Sequence, residues 1–272
     1  MIIVIVIVGI IGAMVAVFIR SPVQSYVDSA RRAELSDIAD TTLRRITRDL
    51  RLALPNSVRV MEFPAASGIF YLEFLITNGG GRYRTEKTGT GTGDALDFTV
   101  ADASFDVLGP ALTFAGGESI VIYNLGTGFT GADAYQLSAA PPNDNNRAAY
   151  AGVTGAPVSN IVLSGAKLFP LASPANRFQV VQYPVTYVCD PTAGVNKISR
   201  YWNYTIVPAQ PAPPSGGNSA KLAGNVTGCT ISYTPNTAQG RNGVVTLSLT
   251  LGTTAGQENI TFFQEAHVSN VP

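Results

Sequence analysis

Imidazole and thiol are nearly absent from this chain, which has one histidine, His267, and two cysteines, Cys189 and Cys229, in 272 residues. A nucleophile needs a positioned base and a group to orient it, and apart from His267 nothing supplies an imidazole. On a strand, His267 shares its side with Thr261 and Glu265. That reads as a solvent-facing or structural position, so no catalytic residue, metal ligand or cofactor is assigned. Two cysteines allow one disulfide at most, and pairing requires an oxidising compartment. Charge is scarce as well. Only 13% of residues are charged, and 18 basic residues balance 18 acidic ones, so no whole-chain field selects nucleic acid or an acidic partner. With 46% hydrophobic residues the chain is too apolar to remain disordered and long enough to bury a substantial core.

Polar residues are missing altogether from the run MIIVIVIVGIIGAMVAVFI, which opens at Met1, closes at Ile19 and is stopped by Arg20. As a helix it would be about 28 Å long, close to a hydrocarbon core of roughly 30 Å, so 1–19 is expected to span a membrane. No small-residue cleavage site follows, which argues against a cleavable signal peptide. Glycine and proline are missing from 25–54, where alanine, leucine and arginine favour helix. Leu35, Ile38, Ile46, Leu50 and Leu54, with Ala39 and Leu43 beside them, recur at spacings of three and four and form one stripe. The cluster Arg44, Arg45, Arg48 and Arg51 lies mostly off the stripe, balanced by Asp40 and Asp49, as on a solvated or subunit-facing surface. Pro22 marks a candidate kink and Pro55 the expected end. A continuous helix over 1–54 would be roughly 80 Å long, apolar in its first third and one-sided thereafter.

Beyond Pro55 the periodicity changes to that of strands. Segments 57–63, 69–76, 95–100, 119–125, 178–189, 197–207, 229–233, 244–251 and 260–268 are the candidates. Val245, Leu247, Leu249 and Leu251 alternate with Thr246, Ser248 and Thr250, the pattern of a half-buried antiparallel strand. Segments 178–189 and 197–207 read as a hairpin across the turn that begins Asp190-Pro191. Surface loops are expected at 88–94, 140–157 and 208–220. There is no internal repeat and no second long helical pattern, which favours a single β-rich head over 55–272. Gly126, Gly128 and Gly131 match GxGxxG, but the stretch after them is too short for a phosphate-binding helix, leaving a glycine-rich turn. Asp133, Asn143, Asp144, Asn145 and Asn146 offer oxygen atoms without the ligand spacing of a calcium site. Asn203, Asn225 and Asn259 each open a glycosylation sequon. Tyr201, Trp202 and Tyr204 are candidates for a sugar-stacking platform, against the ordinary reading of strand aromatics as core and cross-strand pairs.

An apolar half-helix, an amphipathic half-helix and a β-rich head together resemble type IV pilins and type II secretion pseudopilins. The segments SPVQSYVDSARRAELSDIADTTLRRITRDLRLALPNSVRV (21–60), YPVTYVCD (183–190) and QEAHVSNVP (264–272) are most similar to the MshO family of minor pilins of the mannose-sensitive haemagglutinin pilus. The resemblance implies an α+β, pilin-like fold in which the helix of 1–54 packs on the head of 55–272. It implies a basic leader ending in glycine, then a segment like Phe-Thr-Leu-Ile-Glu, ahead of Met1. It also implies a structural minor pilin that is anchored once in the inner membrane, carries its head in the periplasm and then enters a cell-surface pilus. Partners would be other minor and major pilins, contacted through the N-terminal helix, and the place in the filament would be the tip or assembly-initiating complex. Periplasmic export implies a disulfide between Cys189 and Cys229. A J-type pseudopilin shares this architecture, and a tip adhesin would add a surface glycan as ligand; neither is an enzyme.

Overall fold

The computed structural model describes residues 1–136, 145–235, 242–252 and 258–272, with backbone alone at 16, 17 and 19–24. One helix, α1 (Ile2–Leu50), opens the chain. It stops four residues before Leu54 because the backbone there finds other partners. The Leu52 and Ala53 amides close tight turns onto Asp49 and Leu50, and the Leu54 amide donates to the Leu75 carbonyl at 2.7 Å. Leu54 therefore starts the sheet region rather than ending the helix.

Among the described residues fourteen strands follow. They are β1 (Arg59–Glu62), β2 (Phe70–Tyr83), β3 (Asp102–Leu108), β4 (Leu112–Thr113), β5 (Ser119–Ile122), β6 (Arg147–Ala149) and β7 (Pro157–Val158). After them come β8 (Asn160–Lys167), β9 (Arg177–Asp190), β10 (Lys197–Trp202), β11 (Asn218–Gly224), β12 (Val226–Thr234), β13 (Asn242–Gly252) and β14 (Asn259–Ser269). The spine is the antiparallel pair β2 and β9, which run together from Phe70↔Cys189 to Arg82↔Arg177. Around it a nine-stranded sheet has the order β11-β10-β9-β2-β3-β8, with β1 on β2, β5 on β9 and β6 on β5. A separate sheet has the order β12-β13-β14, and β4 pairs with β7.

The spine serves two cores, and its irregularity divides them. Register shifts fall between Ile76 and Gly79, next to Pro184, which has no amide to give to a ladder and is tolerated in a central strand at such a break. On one side, Leu72, Phe74, Val185 and Tyr187 meet Leu35, Ala39, Leu43, Ile46 and Leu50 of α1 and the inward faces of β12, β13 and β14. On the other, Tyr83, Phe105, Phe114, Ile120, Phe169 and Phe178 form a core that α1 never reaches. A smaller cluster of Leu54, Leu75, Val121, Tyr135 and Val181 joins them.

These features correct three expectations. With fourteen strands to one helix among the described residues, the protein is mainly β with one N-terminal helix, not the α+β pilin-like fold expected. Among the described residues no helix is long and apolar enough to cross a membrane, which overturns the membrane span expected at 1–19. The single-pass inner-membrane placement with a periplasmic head falls with that span.

Candidate functional site

The helix is docked at one end only. Leu35 is its first buried side chain, and Ala39, Leu43, Ile46 and Leu50 follow at helical spacing, with Ile38 half-buried beside them. An ion pair between Arg32 and Glu258 marks the point where α1 leaves the head. From Ile2 to Glu34 the helix extends for about 50 Å, and every described side chain from Met1 to Val15 is exposed, with Ile2 at 79% and Phe18 at 83%. A helix that is apolar on all sides is normally enclosed on all sides. The surface left open here represents on the order of 20 kcal/mol of transfer free energy, and Gly9 and Gly12 present bare backbone along it with open space around them.

The docked end is held by a charge buried inside the head. Asp49 lies on the apolar stripe, three residues after Ile46, and is 4% exposed. Its Oδ2 accepts from Arg200 Nε and from the Tyr187 hydroxyl, each at 2.8 Å, while Arg45 approaches Oδ1 at 3.4 Å. Burial pushes the Tyr187 hydroxyl far up, and the Asp49 charge adds to it, so Tyr187 remains a donor. Arg200 also lies over the Trp202 ring at 4.9 Å. A second buried group stands on β2, where Glu73 accepts from Arg59 at 2.8 Å and from the Tyr204 hydroxyl at 3.0 Å. Burial raises the Glu73 carboxyl, and the Arg59 guanidinium opposes that shift. Arg59 also donates to the Pro208 and Val207 carbonyls and covers the Tyr135 ring at 3.7 Å. These ionisable groups are occupied by one another; what they do is fix strands and helix in place.

A third carboxylate works at the edge of the second core. Asp106 accepts from the Asp94 amide at 3.0 Å, Asn160 Nδ2 at 3.1 Å and Arg84 Nε at 3.2 Å, with the amide as the main cause of its lowered pKa. A depressed folded pKa adds stability above the unfolded value of about 4, and that stability is lost as pH falls through the folded value. The acid limb of the stability profile, measured by urea unfolding from pH 5 to pH 2, should therefore be shallower in Asp106→Asn. An unchanged limb would remove Asp106 from the acid response.

The remaining candidate residues separate. Cys189 of β9 and Cys229 of β12 form a disulfide, which joins the nine-stranded sheet to the three-stranded one. Tyr201 and Trp202 are consecutive on β10 and so point to opposite faces, and Tyr204 is buried with its hydroxyl 2.5 Å from that of Thr186. The three share no platform. Asp133 is buried and accepts from the Tyr135 and Gly128 amides, Asn145 donates to the Gln136 carbonyl, and Asn143 and Asp144 lie outside the described residues. Among the described residues no three His, Cys, Asp or Glu side chains are grouped to hold a metal. Gly126, Gly128 and Gly131 all take positive φ in a turn, as do Asn203 and Asn225 of the sequons. His267 lies exposed on β14.

Sequence reasoning placed Asp49 among surface charges and passed over Arg200. The available signal was position: Asp49 falls on the same stripe as Leu35, Leu43 and Ile46, where a charge has to find a buried partner. Compared with protein-family models, with curated proteins and with solved structures, the chain matches none.

Proposed function

We propose that this chain is a structural subunit of a pilus-like filament, in which the free part of α1 packs among equivalent helices of neighbouring subunits and the β-rich head faces outward. One observation carries this reading: a rigid helix whose apolar residues from Ile2 to Val15 are exposed on every side, attached to a head whose own core is complete without them. Such a surface needs an enclosing partner, and several parallel copies of the same helix enclose it from all directions at once. The resemblance of 21–60 to minor pilins supports the same role. It adds the finer reading of a low-copy subunit at the tip of a type IV pilus of the mannose-sensitive haemagglutinin kind, where a bulky head meets few neighbours. The role is structural, and no reaction is assigned to the chain.

Quantitative mass spectrometry of sheared filaments tests it, with the chain carrying Ile7→Asp as comparison. The wild-type chain should be present at a small fraction of the main subunit. The variant, which places a charge in the middle of the helix contact, should fall at least tenfold while its head keeps the disulfide. Equal incorporation of the variant, or absence of the wild type from filaments, would overturn the proposal. A copy number matching the main subunit would refute the tip position alone.

A further inference from the structure

The far end of the β2–β9 spine carries a feature that the filament reading does not use. Arg82 of β2 and Arg177 of β9 stand directly opposite each other in register. Like charges in that arrangement repel and weaken a sheet. Three other described arginines of the head form ion pairs with carboxylates, Arg59 with Glu73, Arg84 with Asp106 and Arg200 with Asp49. Arg82 and Arg177 are exposed and have neither an ion pair nor a side-chain hydrogen bond among the described residues. A repulsive pair without relief is costly to the free protein and suited to an anion that arrives from outside.

The surroundings give that anion a shape. Two residues along from Arg82, on the same side of β2, Gly80 faces Gln179. A Cβ at Gly80 would lie 2.7 Å from Gln179 Oε1 and 2.8 Å from the Phe178 carbonyl, so the glycine lets the Gln179 side chain lie close across the backbone, where its amide forms the floor. Leu108 of β3, 45% exposed and in register with Arg82, closes a third side with an apolar surface. The hollow so formed is shallow and open to solvent, with about 490 Å³ of space above the two arginines and Gln179.

We propose that this hollow binds a carboxylate-bearing sugar unit, such as a uronic or sialic acid residue of a surface glycan. Two guanidinium forks supply paired donors for one carboxylate. The Gln179 amide lies within the same hollow to meet ring hydroxyls, and Leu108 offers a surface for the apolar edge of the ring. This assignment is independent of the filament reading, since it uses only the head.

The test uses the full chain in detergent micelles on an array that pairs acidic glycans with their carboxyl-reduced counterparts, beside inorganic phosphate and polyglutamate as competitors. Wild type should bind the acidic member of a pair at least tenfold better than the reduced one. Arg82→Gln and Arg177→Gln should each lose that preference while keeping the disulfide and the near-UV spectrum. Arg177→Gln should also raise the melting temperature of the free protein, because it removes the repulsion. No preference in wild type, unchanged preference in both variants, or equal competition by phosphate or polyglutamate would overturn the assignment. So would a lower melting temperature in Arg177→Gln, which would make the arginine a structural member of the sheet.

Discussion

Replacing Asp49 with alanine is expected to destabilise the protein by about 3–5 kcal/mol. The carboxylate is the meeting point of Arg200 and Tyr187 under the docked end of α1. Without it a guanidinium that is 7% exposed stays buried with no counter-charge, and the Tyr187 hydroxyl loses its acceptor. The cost lies in what is left behind, so removing both partners should be milder. Asp49→Ala with Arg200→Met should recover more than half of the loss, because the methionine fills the volume without a charge. Trp202, the single tryptophan, sits against Arg200 and reports on the site, so urea unfolding followed by its fluorescence gives the number directly. A loss below about 1 kcal/mol in Asp49→Ala, within the range of an exposed pair, would mean that the helix is held by apolar packing alone.

Removing the disulfide should cost nearly as much. Cys189 and Cys229 are 40 residues apart, and on the chain-entropy model a closed loop of that length constrains the unfolded state by about 4 kcal/mol. Cys189→Ala with Cys229→Ala should shift the urea midpoint down accordingly, and reduction of the wild-type protein should produce a shift of similar size. Non-reducing peptide mapping should recover the two cysteine peptides as one cross-linked species. Two freely alkylatable thiols in the folded protein, or a midpoint indifferent to reduction, would contradict the bond.

Where a segment buries one face, its place in the fold was readable in the sequence. Val245, Leu247, Leu249 and Leu251 alternate on β13, and Leu35, Ala39, Leu43, Ile46 and Leu50 form the docked face of α1. Segments without a strong face were not. The stretch 95–100 was expected as a strand and is not one. β3 follows it instead, where Phe105 and Val107 turn inward on either side of Asp106. β11 was passed over because its first residues, Asn218 to Ala220, fall in the stretch read as a loop, and β8 because its pairing onto β3 is decided by a sheet edge far away in the chain. Local propensity has no access to that kind of partner. β2 was expected to end at Ile76, yet it continues through Gly79, Gly80 and Gly81 because β9 is long enough to pair with them. The arginine hollow was hidden for the same reason, since Arg82 and Arg177 are brought together only by the register of that pair. The membrane span failed on a different ground: a run of apolar letters records what a helix avoids, namely water, and not which apolar surroundings enclose it.

The disulfide has a mechanical meaning as well. A pull on the head that is resisted at the free end of α1 travels down the helix and enters the head between Leu35 and Leu50, where the helix touches both the nine-stranded and the three-stranded sheet. Asp40, Arg44 and Arg48 of the helix face solvent, while its apolar stripe faces both sheets. Cys189 belongs to one and Cys229 to the other, so parting them means breaking a covalent bond. Tension is thus converted into shear along the packed length of the helix, the direction in which Asp49 and the whole apolar stripe must yield together. A pull along the helix axis therefore loads the whole stripe, while the bond keeps the two sheets beneath it from separating.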